Sequence, residues 1–465
     1  MLRFFLKNLD FIIKNGIIEL LGGENMLINF KFSNFRSFKN ETEFSMLASR
    51  QTSMNDILIR KNNLRILPCT VVYGANASGK TNLIMAILFM RELVIRGSIK
   101  DNLHGRPVIS NLELLPFFQN GEKKPIKLEM DFIIEGMYFR YGIEILCGCL
   151  QKKGRKIEKE YLKVDLKNNG SSLANVFTRT DKVVIEASKE LQTFLDASSS
   201  DLTKIKNLIN KNLDQEELFL TSGFKNTVSK NISEKITDFF IKKLIVLEDF
   251  LSVDLKQFIK IPKNIKNKKG VFLTNRIIDK AIVKTDFGPH KIGFVLEEDT
   301  DEKDVVQLEM YSLYGKNLIP ASLMESRGTI KLIEILPILG KVFEKGGVCI
   351  IDELDSSMHS EIIKGIISAF NNPDINKKGG QLIFTSHNPI YLDNQLLRRD
   401  QITFIERSET DYSSCLYNLS DVGSKNIRND ENYLINYFKG KYARLPYINF
   451  EEVFNGDEDT DEKRQ

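Results

Sequence analysis

A glycine-rich loop carries a lysine and a threonine at the spacing that phosphate-binding loops use. Residues 74–81 read GANASGKT, which fits the pattern Gly-x-x-x-x-Gly-Lys-Ser/Thr. An apolar, strand-like run precedes the loop and an apolar, helix-like run follows it, as this pattern requires. The residues predicted to contact a nucleotide here are Gly74, Asn76, Ser78, Gly79, Lys80, Thr81 and Asn82.

The chemistry of this loop follows from its residue types. The glycines let successive backbone amides turn towards a β-phosphate, and Lys80 reaches the β- and γ-phosphates. The hydroxyl of Thr81 can ligate Mg²⁺. The loop therefore predicts a binding site for ATP and Mg²⁺.

Two adjacent carboxylates follow a second apolar run. In GGVCIIDELDSSMH, residues 348–351 predict a short buried strand with Asp352 at its carboxyl end and Glu353 directly after it. A carboxylate pair at a strand end is by itself often only a solvated loop. Beside a phosphate-binding loop, Asp352 is predicted to orient Mg²⁺ and Glu353 to act as the general base that polarises the attacking water.

A histidine follows a third apolar run, in LIFTSHNP. A single histidine at a strand end is usually structural or solvated. Because one helix separates this strand from the carboxylate strand, we predict that His387 reaches the γ-phosphate and senses its presence.

A small polar cluster, ESRGT, opens an apolar helix. Ser326 and Thr329 suit a helix N-cap, since their hydroxyls can accept from the free amides of the first turn. The same amides and the helix dipole also favour a phosphate at Ser326, Gly328 and Thr329. The cluster alone leaves both interpretations open.

Composition indicates a globular protein. A chain of 465 residues with 42% apolar residues is long enough for two or three domains. The 66 basic and 62 acidic residues give a net charge of only +4, so nucleic acid binding is neither implied nor excluded.

The cysteines and the lengths of the apolar runs predict a soluble, cytoplasmic protein. The five cysteines are few and odd in number, which indicates a reducing compartment. Cys147 and Cys149 form too tight a pair for a metal site without further ligands. No apolar run approaches the roughly 18–20 residues of a membrane span.

The first 25 residues are predicted to lie outside the folded protein. Polar residues interrupt every apolar run before a signal peptide could form. Codons for GGEN, directly before Met26, can spell a purine-rich ribosome-binding site. We therefore predict that translation begins at Met26; the alternative is a short amphipathic N-terminal helix.

The elements that position these residues begin after Met26. LINFKFSNFRSF alternates with a period of two and predicts a strand, with Leu27, Asn29, Lys31 and Ser33 on one face. LRILPCTVVYG predicts a second strand, which leads into the glycine-rich loop.

Together, GANASGKT, IIDELDSSMH, TSHNP and ESRGT resemble the ABC-type ATPase heads of the SMC, Rad50 and RecF kind. More narrowly, the stretch from Met26, RRDQITFIER and YFKGKYARLP resemble the AAA15-type, AbiL-like ATPases of prokaryotic abortive-infection systems. In that family the last motif usually has a second glycine, where Ala443 stands here. The resemblance implies an α/β P-loop NTPase with a two-lobed ABC-type head that dimerises on ATP.

The resemblance also implies roles for single residues. Ser326 and Gly328 would bind the γ-phosphate held by a second subunit, so that the two copies complete each other's sites. Asp355 would lie on the loop that couples the two sites, and Arg36 would lie near the nucleotide. The residues after His387 are too few for a further catalytic domain, so a separate nuclease, TOPRIM-like or RloB-like, is the expected effector.

Three kinds of function remain open on the sequence. One is the ATPase subunit of an anti-phage system, another a RecF-like or Rad50-like DNA-repair ATPase, and the third a nucleotide-gated scaffold with little turnover. The predicted units are a head in two parts, residues 26–185 and 286–450, a mainly helical insert at 186–285, and a disordered acidic tail at 451–465. The basic runs at 151–160 and 260–270 are typical of solvated turns, and contact with nucleic acid is the alternative for each.

Overall fold

The computed structural model describes residues 25–100, 114–118, 124–147, 155–166, 172–186, 188–195, 209–210, 213–247, 271–284, 291–298, 306–422 and 431–444. The predictions for residues 1–24, the basic run at 260–270 and the acidic tail concern segments outside these ranges.

Strands supply most of the described framework. In chain order they are β1 (Asn25–Ser33), β2 (Thr42–Ser45), β3 (Ile59–Lys61), β4 (Leu64–Ile66), β5 (Cys69–Tyr73), β6 (Ile126–Ile134), β7 (Met137–Leu146), β8 (Lys156–Asp165), β9 (Ala174–Arg179), β10 (Val183–Ile185), β11 (Leu244–Leu247), β12 (Phe272–Leu273), β13 (Lys291–Glu298), β14 (Val306–Tyr314), β15 (Asn317–Pro320), β16 (Val348–Ile351), β17 (Gln381–Thr385), β18 (Ile402–Arg407) and β19 (Ser414–Asn418).

Helices cover and connect these strands. The α-helices are α1 (Lys80–Arg96), α2 (Lys189–Leu195), α3 (Lys225–Thr227), α4 (Lys230–Asp238), α5 (Arg276–Lys284), α6 (Ala321–Met324), α7 (Arg327–Lys345), α8 (Ser360–Asn371) and α9 (Tyr433–Phe438). Two π-helical turns, Leu220–Phe224 and Phe239–Lys243, flank α3 and α4. Three 3₁₀ turns cover Asn55–Ile57, Pro389–Tyr391 and Arg399–Gln401.

The central sheet has the order β11-β16-β17-β5-β18-β19. Its first five strands run parallel, and β19 is antiparallel at one edge. Every residue of β5, β16 and β17 is buried, which is typical of parallel strands covered on both faces. The predicted strands before the carboxylates and before His387 are confirmed, and so is the α/β fold class.

Alternate residues of β16 face two different cores. Cys349 and Ile351 pack in a cluster with apolar residues of α7 and α8. Val348 and Ile350 pack on the other side, in a cluster with α1 and the large antiparallel sheet. This alternation follows from the two-residue period of a strand, and it places the central sheet between the two layers.

The antiparallel sheet has the order β10-β9-β8-β7-β6-β1-β2. β1 begins at Asn25, two residues before the predicted strand, so Asn25 belongs to the fold although it was predicted to lie outside it. The strand was predicted to alternate between two different faces, but Leu27 and Asn29 are buried like their neighbours, so the alternation is wrong there. The reason is that β1 is an inner strand with both faces covered: the Asn29 amide donates to Asp131 (3.2 Å) and accepts from Ser45 (2.7 Å).

The second predicted strand is two strands in different sheets. β4 pairs with β3 in a two-stranded ribbon, whereas β5 enters the central sheet. Pro68 stands between them and has no N–H for a sheet hydrogen bond. The chain changes partners there, since Leu67 donates its amide to the carbonyl of Met46 (2.7 Å).

The helical prediction for the insert is wrong at two places among its described residues, β11 and the two-residue strand β12, which pairs with β13. Leu244–Leu247 form β11, which pairs in parallel with β16 at the edge of the central sheet. These four apolar residues follow two lysines and include a β-branched pair, Ile245 and Val246, which favours strand. The predicted insert therefore contributes a strand to the head.

A glutamine joins the two sheets. Gln381, at the start of β17, is fully buried. Its Oε1 accepts from the Leu27 amide (2.7 Å), and its Nε2 donates to the Leu27 carbonyl (2.9 Å). The register of β1 against β6 shifts just after Leu27. The side chain thus satisfies the backbone groups of Leu27 where the ladder is irregular.

Replacing Gln381 with leucine tests this bridge, because it removes both hydrogen bonds to Leu27 and a longer one to the Leu67 carbonyl (3.4 Å) while keeping a side chain of similar size. A buried backbone group without a partner costs about 1–3 kcal/mol, so we expect Gln381→Leu to lower the free energy of unfolding by roughly 2–5 kcal/mol. Gln395→Leu, at an exposed position, is the control and should change it by less than about 0.5 kcal/mol. Urea denaturation, followed by circular dichroism, measures the free energy of unfolding of both variants. Equal losses in the two variants would contradict the role of Gln381 in joining the sheets.

Candidate functional site

The glycine-rich loop lies between β5 and α1, at the carboxyl edge of the central sheet. Gly79 caps α1 with φ 117°, a conformation that favours glycine. A Cβ on Gly79 would lie 2.5 Å from Ser414 Oγ, and one on Gly74 would lie 2.4 Å from the Ile405 carbonyl oxygen. Both positions therefore need glycine.

The loop presents polar groups suited to a phosphate. Ser78 Oγ is buried and has no hydrogen-bond partner among the described residues. Lys80 Nζ donates to the carbonyls of Gly74 (2.8 Å) and Ala75 (3.0 Å). Burial lowers the pKa of Lys80 to about 8, against the opposing effect of nearby carboxylates. Burial disfavours the charged form of Lys80, and a bound phosphate would stabilise it. The residues of the loop therefore fit a nucleotide.

The loop and the first carboxylate are directly joined. Thr81 Oγ1 donates to Asp352 Oδ2 (2.8 Å), and Thr385 Oγ1 donates to Asp352 Oδ1 (2.5 Å). Asp352 is 7% exposed. Thr385 ends β17, Asp352 directly follows β16, and Thr81 lies in the helix after β5, so the contacts join the neighbouring carboxyl ends of three strands. A hydroxyl and a carboxylate are the hard oxygen donors that Mg²⁺ prefers, so Thr81 and Asp352 fit this ion.

Glu353 is held through its backbone, and its carboxylate remains accessible. Its φ is 46°, a left-handed conformation that non-glycine residues rarely adopt and that is often found at functional sites. Its amide donates to Thr385 Oγ1 (2.7 Å), and its carbonyl accepts from Lys331 Nζ (2.6 Å). The side chain is 57% exposed, which leaves it free to meet a water.

His387 lies beside Glu353. Its Nε2 is 3.8 Å from Glu353 Oε1. Burial, followed by the charge of Lys80, lowers the pKa of the imidazole below its usual value. His387 is therefore mainly neutral at pH 7 and can offer one N–H and one lone pair.

The loop after the carboxylates is tied to the histidine strand. Ser386 Oγ donates to Asp355 Oδ2 (2.7 Å). Ser386 directly precedes His387, and Asp355 lies two residues after Glu353. The predicted coupling residue is thus in contact with the segment that carries the predicted phosphate sensor.

The helix cap predicted in ESRGT is confirmed. Ser326 is the N-cap of α7, and its hydroxyl accepts from the Thr329 amide (3.1 Å) and bonds to Thr329 Oγ1 (2.9 Å). Gly328 has a packing role as well. A Cβ there would lie 2.1 Å from the carbonyl oxygen of Ser357. The start of α7 therefore rests directly on the loop that follows the carboxylates.

Lys331 is a site residue that the sequence analysis missed. Its Nζ donates to the Glu353 carbonyl, to the Ser356 carbonyl (3.3 Å) and to Ser356 Oγ (2.7 Å). Burial lowers its pKa to about 8. The available signal was a lysine among the apolar residues of α7, five positions after Ser326.

The segment around Arg36 packs against the first turn of α1. Ser37 Oγ accepts from Asn82 Nδ2 (2.8 Å) and from Ser414 Oγ (2.8 Å). Arg36 has φ 50°, and its guanidinium lies 5.7 Å from the centre of the Phe35 ring. Arg36, which was predicted to lie near the nucleotide, is thus on a turn that is hydrogen-bonded next to the glycine-rich loop.

The described residues hold no cluster of three or more His, Cys, Asp or Glu side chains that could ligate a metal. None of their helices has the length and apolar character needed to cross a membrane. Cys69, Cys147, Cys349 and Cys415 are free thiols, and Cys149 lies outside the described residues.

Solved structures of SMC head domains align with most of the chain. A SmcHead bound to the C-winged helix domain of ScpA has 15% identity, covers 84% of this chain and 97% of its own, and gives a TM-score of 0.38. A Pyrococcus furiosus Smc head domain bound to the C-terminal domain of ScpA has 16% identity, covers 85% of this chain and 96% of its own, and gives a TM-score of 0.40. The Thermotoga maritima SMC head domain has 14% identity, covers 84% of this chain and 98% of its own, and gives a TM-score of 0.34.

Among curated proteins, no sequence matches the chain. The family described as "AAA domain, putative AbiEii toxin, Type IV TA system" matches residues 69–393. This span is more than half of the chain and contains the glycine-rich loop, the start of α7, both carboxylates and His387. The chain therefore belongs to this AAA-domain family of P-loop ATPases.

Proposed function

We propose that the chain binds and hydrolyses ATP with Mg²⁺, dimerises when ATP is bound, and is the sensor or motor subunit of a prokaryotic anti-phage system. The hydrogen bond between Thr81 and Asp352 (2.8 Å) carries the first part of this proposal. It joins the glycine-rich loop to the carboxylate strand, as a site for a metal-bound triphosphate needs. The proposed compartment is the cytoplasm.

Each described side chain then has a role in hydrolysis. Thr81 and Asp352 would hold Mg²⁺, which supplies positive charge against the phosphate oxygens when bound. Lys80 and the amides of residues 74–79 bind the β- and γ-phosphates. Glu353 accepts the proton of the attacking water, and the neutral His387 donates a hydrogen bond towards the γ-phosphate.

The surface around Ser326 supports a second copy of the chain as the partner. Ser326 and Arg327 are exposed at the start of α7. Leu323 and Met324, just before them, are 75% and 47% exposed. Exposed apolar side chains next to a polar helix start are typical of a surface that another protein covers. In the proposed dimer, Ser326 and Gly328 meet the γ-phosphate held by the partner.

The biological role rests on the family and on the motifs at the two ends of the chain. The family description names an AbiEii toxin, and RRDQITFIER and YFKGKYARLP resemble AAA15-type, AbiL-like ATPases. We propose a separate effector nuclease, TOPRIM-like or RloB-like, as the partner. The proposed units remain a head of residues 26–185 and 286–450 with an insert at 186–285.

Glu353→Gln tests the general base. We expect it to keep ATP binding and to lower the turnover number by about 100-fold or more, since a positioned base contributes that much. Lys80→Ala should instead lose ATP binding itself. Steady-state turnover and binding of a fluorescent ATP analogue separate the two defects. Parental turnover in the glutamine variant would contradict the assignment of Glu353.

A mixture of two single mutants tests the partner's contribution. Ser326→Arg should block closure through steric and charge conflict while leaving ATP affinity of the open protein nearly unchanged. Lys80→Ala keeps an intact helix start. Mixed dimers pair the intact loop of one chain with the intact Ser326 of the other, so the mixture should exceed the summed activities of the separate mutants. No excess, with mixed dimers and single-site turnover both demonstrated, would leave Ser326 as a helix cap only.

Phage challenge tests the biological role. Cells that carry the gene with its neighbours should form at least tenfold fewer plaques than cells in which the chain carries Lys80→Ala or Glu353→Gln. Equal plaque counts with a panel of phages would contradict the anti-phage role. In that case, ATP-dependent and salt-sensitive binding of the purified chain to duplex DNA would favour a repair ATPase. Closure on ATP without turnover would favour a nucleotide-gated scaffold.

A further inference from the structure

A buried lysine connects α7 to the loop that carries Glu353. Lys331 lies five residues after Ser326, on the first turns of α7. Its Nζ donates to the Glu353 carbonyl (2.6 Å), to the Ser356 carbonyl (3.3 Å) and to Ser356 Oγ (2.7 Å). One ammonium group thus joins the helix to two positions of the loop.

The first of these contacts falls on the residue with the unusual backbone. Glu353 has φ 46°, a left-handed conformation that costs free energy in a residue other than glycine. Side chains hold the peptide groups on both sides of it: its amide donates to Thr385 Oγ1 (2.7 Å), and its carbonyl accepts from Lys331. Because peptide groups are planar, these two bonds fix the direction in which the Glu353 side chain leaves the backbone.

The position of Lys331 on α7 links Glu353 to the start of that helix. An α-helix rises 1.5 Å per residue, so Lys331 lies only about 7.5 Å along the axis from Ser326. The first turn of α7 also rests on the same loop, since a Cβ on Gly328 would lie 2.1 Å from the Ser357 carbonyl oxygen. The helix start, Lys331 and the Glu353 backbone therefore form one connected unit.

A simpler role for Lys331 would be to neutralise the carboxylates. Burial lowers its pKa to about 8, and the charges of Asp355, Glu353 and Asp352 oppose that shift. Attraction between charges does not by itself select carbonyl and hydroxyl oxygens as partners. The three hydrogen bonds to the loop therefore indicate that Lys331 also fixes the backbone there.

We propose that Lys331 is a positioning residue for ATP hydrolysis: by holding the Glu353 carbonyl, it keeps the carboxylate directed at the attacking water. The inference rests on the proposed role of Glu353 as the general base. It also gives a path from the α7 start, where a second copy would bind, to that base. Turnover should depend on Lys331 and ATP binding should not, because Lys80, Thr81 and Asp352 hold the nucleotide and its metal.

Lys331→Met removes the ammonium group and keeps an unbranched side chain. We expect its turnover number to be at least tenfold lower than the parental value, since a small misplacement of a catalytic group has effects of that size, and its ATP affinity to stay within threefold. Lys331→Arg keeps a charged donor and should turn over at least threefold faster than the methionine variant. Lys364→Met, which removes a lysine paired with Glu361 on α8, is the matched control and should change both quantities by less than twofold.

Combination with Glu353→Gln separates positioning from a general structural effect. Once the base is absent, Lys331 has no base left to position. The double variant Glu353→Gln with Lys331→Met should therefore hydrolyse ATP within threefold of the rate of Glu353→Gln alone. Single-turnover measurements with radiolabelled ATP resolve these low rates. A structural defect would instead lower the rate by the same factor in both backgrounds.

Ser356→Ala tests the same contact while the charge of Lys331 is kept. Ser356 is exposed, so the substitution leaves the core intact and removes one acceptor of the lysine. We expect a turnover number about two- to fivefold lower with ATP affinity unchanged, and no further loss in the Glu353→Gln background. If Lys331→Met does not fold, this variant decides the proposal.

Parental turnover in both Lys331→Met and Ser356→Ala, with Glu353→Gln inactive, would overturn this inference alone and leave the general base in place. An equal loss of turnover with and without Glu353 would also overturn it. Loss of ATP binding in Lys331→Met, together with parental turnover in Ser356→Ala, would show that Lys331 only supports the fold of the site. Parental turnover in Glu353→Gln would overturn the base assignment itself, and this inference with it.

Discussion

The parallel alignment of β5, β16 and β17 is the constraint on which the site depends. Parallel strands end at the same edge of a sheet, so the residues that follow them are brought together whatever their distance in sequence. Asp352 illustrates the result: one of its oxygens accepts from Thr81 and the other from Thr385. A single carboxylate thus joins the first turn of α1 to the ends of β16 and β17.

The site also brings opposite charges close together. Lys80 and Lys331 both have pKa values lowered to about 8 by burial, and the same three carboxylates, Asp352, Glu353 and Asp355, oppose that effect at each. The lysines differ in their partners, since Lys80 bonds to the glycine-rich loop and Lys331 to the loop that carries the carboxylates. Each lysine holds one backbone loop in place.

The sequence predicted the features that depend on local spacing and left out those that depend on distant contacts. The buried strand before Asp352 and the Ser326 cap follow from neighbouring residues, and both are confirmed. The strand β11 could not be separated from a helix, because a short apolar run suits either and only its pairing with β16 decides. Lys331 was missed for the same reason, since its partners lie more than 20 residues away. The catalytic roles remain predictions.

The contact between Gly328 and Ser357 limits how the molecule can move. With no side chain between them, the two backbones touch as rigid surfaces, and neither has a flexible group that could absorb a displacement. A shift of the first turn of α7 of even an ångström must therefore push or release the segment that follows Glu353. A displacement of that helix start would therefore reach the carboxylate loop by direct steric contact, in addition to the hydrogen bonds that Lys331 makes with the same loop.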